Sequence, residues 1–275
     1  MVAGMAPPPL ITLLTDFGEE ATWVAQMKGT ILGIAPEARI VDLTHAVPPH
    51  DVVAGAYLLE TAVDAFPRGT IHVAVVDPGV GTSRRAVVVR TETLVLVGPD
   101  NGLFSRVLDR HPPRSAWVLE APHYRASSSS ATFDGRDVFA PAAAWLARGT
   151  DPSRFGPVIA DLAGLSRTHV PPGSPAPFET RVLFVDRFGN AALDLPVEHL
   201  AAWLVPETGL LGLRAALASG TVVSEVRRTF ADGPPGMPFL LVNSAGYVEI
   251  AMREESAARR LGLAPGQEVG ITPGG

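Results

Sequence analysis

The chain has 275 residues, of which 47% are hydrophobic and 18% charged, and its formal net charge is −6. This length supports one large domain or two ordinary ones. The net negative charge does not favour binding to nucleic acid or to an anionic membrane. The chain contains no cysteine, which excludes thiolate metal sites, iron–sulfur clusters, cysteine nucleophiles and disulfides.

The N-terminal segment lacks the basic start and the long apolar run of a signal peptide. No apolar run along the chain approaches the roughly 18 to 20 residues needed to cross a bilayer. We therefore expect a cytoplasmic protein without a membrane-spanning segment.

Apolar runs alternate with amphipathic runs from Leu10 onward. They predict three buried strands separated by two helices, at residues 10–15, 22–35, 39–44, 51–66 and 70–76. Asp51 is placed to cap the second helix. Two strands, a helix, a strand and a last helix follow at residues 86–91, 93–99, from about 101, 116–120 and 137–150. This alternation predicts an α/β domain over residues 8–166, with a mainly parallel sheet covered on both faces.

The composition changes after residue 166. Residues 167–179 are rich in proline and contain Gly173 next to Ser174, which is typical of an interdomain linker. Beyond them, short β-like runs separated by turn residues predict a smaller, mostly β domain over residues 180–273. These runs lie at residues 180–186, 221–226, 238–243 and 247–252.

Carboxylates follow three of the predicted strands. Asp16 follows the first strand, Asp51 with its neighbour His50 follows the second, and Asp77 follows the third. Ligands of α/β sheets gather at the carboxyl ends of the strands, so this recurrence indicates a site there. Each aspartate taken alone is more often a turn or cap residue.

The segment DPGVGTSRR, residues 77–85, is the most informative of these strand ends. Its proline and glycines build a turn that lets backbone approach a ligand, and Arg84 can fold back on Asp77 across it. An arginine beside a carboxylate holds it ionised and fixes its orientation. Alternatively, Asp77 and Arg84 form a salt bridge that only stabilises the loop. The segment lacks the third glycine of a dinucleotide fingerprint.

Seven motifs occur in order between about residues 10 and 270: LLTDFG, VAQMKGTILGIAPEARIVDLTHAVPPHD, VAVVDPGVGTSRR, GPDNGLFS, TFDGRDVFAP, VDRFGN and VNSAGYVEIA. In these motifs the chain resembles the S-adenosylmethionine hydroxide adenosyltransferase family, which also contains the S-adenosylmethionine-dependent fluorinase and chlorinase. The resemblance implies an N-terminal α/β domain, a C-terminal β-barrel domain and a homotrimer. It also implies that the substrate binds between the N-terminal domain of one subunit and the C-terminal domain of its neighbour.

The resemblance further implies a reaction. The hydroxide-using branch of the family converts S-adenosylmethionine and water into adenosine and L-methionine, so S-adenosylmethionine is a substrate and no cofactor is expected. Activity in the family is assigned to an aspartate, an arginine and a histidine. The first two correspond to Asp77 and Arg84, whereas the histidine position holds Asp134 in this chain.

Five further residues are assigned to substrate binding by the same resemblance. Asp16 is expected to hold the ribose hydroxyls, while Phe188 stacks on the adenine and Asn190 pairs with its edge. Asp186 is expected to take the ammonium of methionine and Ser244 its carboxylate. The family's halogenases carry an arginine directly after that serine, where this chain has Ala245.

Charge argues against a halogenase. Family halogenases carry a tyrosine where this chain has Asp77, and a serine where it has Gly135. An ionised carboxylate would repel a halide nucleophile, which needs a site free of negative charge. We therefore expect a hydrolase.

Asp134 leaves two outcomes open. It can act as a substitute proton acceptor, paired with Asp77 so that their mutual repulsion favours retention of one proton, with Arg84 moderating the effect. Alternatively, the protein binds S-adenosylmethionine or adenosine and turns it over poorly. Nearby, Asp137 is placed to cap the following helix and Arg136 to support the turn.

A third possibility is a metal-dependent hydrolase. In this case the carboxylates of Asp16, Asp51, Asp77 and Asp134 would hold a divalent cation. The family resemblance disfavours this interpretation.

Overall fold

The computed structural model describes residues 8–126, 130, 132–165, 177–205 and 210–273. The chain divides into two compact units, residues 1–165 and 166–275. Most of the predicted linker at residues 167–179 lies outside the described residues, and the first strand of the second unit already begins at Phe178.

The N-terminal unit is built on a seven-stranded sheet with the strand order β2-β1-β3-β5-β4-β6-β7. Its strands are β1 (Leu10–Thr15), β2 (Arg39–Thr44), β3 (Ile71–Val75), β4 (Ala86–Arg90), β5 (Val95–Pro99), β6 (Ser115–Val118) and β7 (Val158–Ile159). Strands β1 and β2 have the predicted bounds, because each is an uninterrupted strand-like run of residues that ends where the chain turns.

The sheet is mixed, and the prediction of a mainly parallel sheet is correct only for half of it. The pairings β1–β2, β1–β3 and β3–β5 are parallel, whereas β4–β5, β4–β6 and β6–β7 are antiparallel. Only four residues, 91–94, join β4 to β5, and a parallel pair needs a crossover of about a dozen residues or more. The two strands therefore form a hairpin.

Among the described residues, the α-helices of the N-terminal unit are α1 (Trp23–Ile34), α2 (Val52–Val63), α3 (Ser105–Arg110) and α4 (Ala140–Ala147). The predicted cap of α2 is confirmed, since the Asp51 side chain accepts a hydrogen bond from the Ala54 backbone N–H at 2.9 Å. Short 3₁₀ segments lie at Pro122–Tyr124 and Pro152–Arg154.

The predicted cap at Asp137 is wrong. A π-helical turn, Gly135–Phe139, precedes α4 and contains Asp137 within it. The buried carboxylate accepts a hydrogen bond from the Ser130 backbone N–H at 2.7 Å and pairs with Arg136 at 2.7 Å. The wider π turn continues without a break into α4, so no free helix end remains for Asp137 to cap.

Strand β3 runs through the centre of the sheet and is buried along its whole length. Helices α1 and α4 pack against each other, and α4 lies against β1 and β3 of the sheet. Side chains from these elements form one core cluster that includes Leu13, Met27 and Phe139. The core thereby fixes the carboxyl ends of β1 and β3, from which Asp16 and Asp77 follow.

The C-terminal unit contains a second seven-stranded sheet, with the order β13-β12-β16-β8-β9-β15-β14. Its strands are β8 (Phe178–Val185), β9 (Ala191–Pro196), β12 (Leu213–Leu217), β13 (Val222–Val223), β14 (Pro238–Val242), β15 (Tyr247–Met252) and β16 (Glu268–Pro273). Strands β10 (Leu204–Val205) and β11 (Leu210–Leu211) form a separate pair, and α5 (Ala257–Leu261) is a short helix.

All pairings between strands of the second sheet are antiparallel. Val226, just after edge strand β13, bridges Leu240 on the opposite edge strand β14, so the sheet nearly closes on itself. This confirms the predicted all-β, barrel-like domain. Closure places the apolar side chains of alternate positions inside one core, as in β12, where Leu213, Ala215 and Leu217 are buried.

Within the described part of the chain, no helix has the length and apolar character of a membrane span.

We predict that Asp51→Ala lowers the free energy of unfolding by about 1 kcal/mol, because the Ala54 N–H at the start of α2 loses its acceptor. Urea unfolding followed by circular dichroism measures this change. Glu37→Ala, which alters an exposed acid in a turn, serves as the control and is expected to stay within about 0.5 kcal/mol of the parent. Equal stability of both variants would show that the cap contributes nothing.

Candidate active site

A cavity of about 590 Å³ opens at the carboxyl ends of β1 and β3. Asp16 follows β1, Asp77 follows β3, and the segment leading into the π-helical turn forms the opposite wall. This volume lies within the range of small-molecule sites in proteins. The polar and charged residues in its lining include Asp16, Gln26, His50, Asp77, Ser130, Thr132, Asp134 and Arg136.

Arg84 joins the two carboxylates on the cavity floor. Its Nε lies 3.0 Å from both carboxylate oxygens of Asp77, and its Nη2 donates to Asp77 Oδ2 at 2.5 Å. The same Nη2 also donates to Asp134 Oδ2. One guanidinium therefore holds two carboxylates that are far apart in the sequence.

Burial makes the loss of one charge from this ion triad more costly than the same loss in a surface pair. The side chains of Asp77, Arg84 and Asp134 are 5%, 12% and 21% exposed. Burial opposes the charge of Arg84, but the hydrogen bonds to Asp77 and Asp134 outweigh it and raise the pKa of the guanidinium. The Phe139 ring lies 5.5 Å from the guanidinium carbon and adds a cation–π contact. The cation stays charged, and it offsets the repulsion between the two carboxylates.

Asp134 stands directly before the π-helical turn Gly135–Phe139. Such turns are rare and occur frequently at functional sites. A Cβ atom added at Gly135 would lie 3.1 to 3.2 Å from Phe17, Met27 and Phe133. The serine that family halogenases carry at this position would therefore have to push these side chains apart.

Asp16 is held by the backbone of His50. The His50 N–H donates to Asp16 Oδ2 at 2.8 Å. His50 has a φ of 65°, which places it in the left-handed region that non-glycine residues seldom adopt. This conformation directs the N–H towards Asp16 and places His50 in the cavity lining.

A buried histidine supports the end of β1 from behind. His45 Nδ1 lies 2.9 Å from Thr15 Oγ1, and its Nε2 lies 3.0 Å from Asp42, which pairs with Lys28. The Thr15 hydroxyl in turn accepts from the Phe17 N–H. The sequence interpretation missed this set of contacts, although Asp42 and His45 stand three residues apart in the motif DLTH.

Aromatic rings form the apolar wall of the cavity. Phe17 makes edge contacts with Trp23 and Phe133, at centroid distances of 6.1 and 5.8 Å. Arg136 lies over the Phe133 ring at 5.0 Å, and its Nη1 donates to Gln26 at 2.8 Å. These lining residues were also missed, because helices and loops far apart in sequence contribute them.

The remaining predicted residues belong to the C-terminal unit. Asp186 accepts the backbone N–H groups of Phe188 and Asn190 at 2.9 and 2.8 Å, and the Asn190 amide at 3.0 Å. This network shapes the turn between β8 and β9. Asn190 is buried, whereas Phe188 is 77% exposed.

Ser244 lies exposed in the turn between β14 and β15. Asn243 shapes this turn by accepting the N–H groups of Ala245 and Tyr247 at 3.0 and 3.1 Å, and it donates to Glu249 at 3.0 Å. Burial is the main cause of a raised pKa at Glu249, and the nearby charge of Asp186 adds to it.

No group of three or more histidine and carboxylate side chains is arranged to hold a metal ion among the residues that the structure describes. Asp51, one of the four carboxylates considered for such a site, is engaged in capping α2.

Comparison with known proteins identifies the family. The sequence model of the SAM hydroxide adenosyltransferase N-terminal domain matches residues 11–156, and that of the C-terminal domain matches residues 180–270. The chain belongs to the SAM hydroxide adenosyltransferase family, as the motifs predicted.

Individual relatives cover nearly the whole chain. A Thermus thermophilus protein named (R)-S-adenosyl-L-methionine hydrolase is 41% identical over 94% of this chain and 98% of its own length. A fluorinase from Actinopolyspora mzabensis is 26% identical over 96% and 97%. A crystal structure of an uncharacterised conserved protein from Thermotoga maritima has a TM-score of 0.85 at 31% identity, covering 95% of this chain and all of the other.

We predict that Arg84→Met destabilises the fold by about 2 to 3 kcal/mol, because it leaves two partly buried carboxylates without their shared cation. The double variant Arg84→Met, Asp134→Asn is expected to be more stable than Arg84→Met alone, since it carries one unpaired charge fewer. Urea unfolding of both variants and of Asp134→Asn measures the coupling.

The exposed pair Arg114–Glu92 provides a matched control. Arg114→Met is expected to cost less than about 1 kcal/mol. If Arg84→Met and Arg114→Met lower the free energy of unfolding equally, burial does not make the loss of the Arg84 cation more costly.

Proposed function

We propose that this protein hydrolyses S-adenosyl-L-methionine by attack of water at C5′, giving adenosine and L-methionine. The observation that carries the proposal is the pair of carboxylates, Asp77 and Asp134, that Arg84 holds together in the lining of a cavity large enough for a nucleoside. The name of the Thermus thermophilus relative supports the same reaction.

The substrate itself supplies much of the reactivity. Its C5′ carbon is bonded to a sulfonium, and methionine leaves as a neutral thioether, so no acid is needed at the leaving group. The protein has to hold a poorly nucleophilic water in line with the C5′–S bond. Asp77 is the orienting group, because its carboxylate is fixed by Arg84 and accepts hydrogen bonds from water.

Asp134 contributes a second negative group to the same floor. Together the two carboxylates and Arg84 carry a net charge of about −1 when ionised, which favours a cationic substrate. This distribution opposes a halide nucleophile, and the crowding around Gly135 opposes the serine of the halogenases. The reaction proposed is therefore hydrolysis and not halogenation.

The substrate-binding roles follow from the family resemblance and from the positions of the side chains. Asp16 holds the ribose hydroxyls from its place in the cavity wall. Phe188 and Asn190 take the adenine, and Asp186 and Ser244 take the amino-acid end. The exposed ring of Phe188 supports its stacking role.

We also propose that the active form is a homotrimer that needs no cofactor, as the resemblance implies. A cytoplasmic location stays a prediction from the sequence. Light scattering coupled to size exclusion would measure the mass of the assembly.

A binding protein without turnover is the other function compatible with Asp134. The hydrolase is favoured, because Arg84 holds Asp134 beside Asp77 and gives it a defined place in the site. Tight binding of S-adenosylmethionine without product would instead identify a sensor.

We predict that the purified protein forms adenosine and methionine in equal amounts from S-adenosylmethionine, as followed by chromatography. Because the relative's name specifies the (R) form, both sulfonium epimers should be supplied separately. No product above background from either epimer at high enzyme concentration would refute the proposal.

Variants at Asp77 and Asp134 distinguish the roles of the two carboxylates. Asp77→Asn is expected to lower kcat by about 100-fold or more, since the amide orients water poorly, while Asp134→His is expected to retain activity. Asp161→Asn, which changes an exposed acid paired with Arg85, is the control and should leave kcat unchanged. An unchanged kcat in Asp77→Asn would show that Asp77 does not handle the water.

A further inference from the structure

The proposed hydrolysis releases a proton. S-adenosylmethionine carries a net charge of +1, whereas adenosine and methionine are neutral overall, so water yields its second hydrogen as a proton. Some group in the cavity must accept this proton as the O–C5′ bond forms and the C5′–S electron pair passes to sulfur. This inference rests on the proposed function.

The carboxylates of the triad are poorly suited to this task. Both carboxylates are already engaged by Arg84, which donates to both oxygens of Asp77 and to Oδ2 of Asp134. A carboxylate oxygen bound in this way can orient water, but a proton placed on it would compete with the bond from Arg84. Arg136 is a cation already paired with Asp137, and it cannot accept a proton.

His50 is the one imidazole in the cavity lining, within the part of the chain that the structure describes. Neutral imidazole accepts a proton at one ring nitrogen, and histidine does so readily near neutral pH. His50 is also exposed, so a proton taken up in the cavity can pass on to solvent.

The backbone at His50 is unusual in a way that fits a function. With a φ of 65°, His50 is one of two non-glycine residues in the described chain that adopt a left-handed conformation. Strain of this kind clusters at active sites, where the surrounding structure maintains it. Here the His50 N–H binds Asp16, which fixes the residue at the rim beside the expected ribose.

We propose that His50 accepts the proton of the attacking water, while Asp77 and Asp134 orient that water. The other charged residues that line the cavity are Asp16, Asp77, Asp134 and Arg136. Three of these four are acidic, so the lining carries a net negative charge when these groups are ionised. Deprotonation by solvent then restores the neutral ring for the next turnover.

The test uses two variants that keep the backbone and remove the base. His50→Gly and His50→Asn both tolerate a positive φ and both retain the N–H that binds Asp16. His50→Gly also leaves a space that imidazole from the buffer can occupy. His123→Asn removes an exposed imidazole outside the cavity lining and is the control.

We expect kcat to fall about 100-fold in both His50 variants while KM changes by less than about threefold, and to stay unchanged in His123→Asn. Added imidazole should restore kcat in His50→Gly in a concentration-dependent manner, whereas sodium chloride at equal ionic strength should not. Assays are run at one slightly alkaline pH, where the added imidazole is largely neutral.

Three results would overturn the proposal. They are an unchanged kcat in the His50 variants, a rise in KM alone, and a loss of kcat in His50→Gly that imidazole does not restore. Failure of the proposed function is recognised separately, because the unaltered protein would then form no adenosine. Circular dichroism of each variant verifies that the fold is intact.

Discussion

The candidate site depends on the placement of one arginine between two carboxylates. Arg84 binds Asp77 across a tight turn and Asp134 across 50 residues of chain, and all three side chains are largely shielded from water. Removing the cation would leave like charges facing each other in a poorly solvated floor. The positions of the β3 end and of the π-helical turn are therefore tied together by this single guanidinium.

The same interaction determines what chemistry the site can perform. With the cation and both carboxylates ionised, the triad has a net charge of about −1, which in the proposed reaction attracts a sulfonium and repels halide ions. The aromatic wall formed by Phe17, Trp23 and Phe133 provides apolar surface for a nucleoside beside this charged floor. Because Arg84 already engages both carboxylates, the proposed reaction needs another proton acceptor. His50 lies in the cavity lining and is the proposed acceptor.

Local features of the fold and site could be predicted from the sequence, and non-local ones could not. Strands β1, β2 and β15 have the predicted or nearly predicted bounds because each is a short apolar run between turn residues. The Asp77–Arg84 contact spans seven residues around glycines and was foreseeable. The antiparallel half of the first sheet depends largely on pairings between segments that are distant in the sequence. Only the short connection between β4 and β5 indicates an antiparallel pair locally.

The π-helical turn explains the remaining errors near Asp134. No periodic pattern distinguishes an i→i+5 turn from the α-helix that follows it, so Asp137 was assigned to a helix start. In the structure, the Asp137 carboxylate is buried and pairs with Arg136, whereas Asp134, three residues earlier, reaches Arg84. The supporting contacts of His45 were missed for a related reason, since they join three separate segments behind the cavity.

The central claim is that water attacks C5′ of the substrate, and isotope labelling tests it most directly. A single turnover of S-adenosylmethionine with excess enzyme in H₂¹⁸O should place one ¹⁸O atom in the 5′-hydroxyl of adenosine, as measured by mass spectrometry, and none in methionine. Appearance of the label in homoserine or methanol, or formation of unlabelled adenosine, would contradict the account.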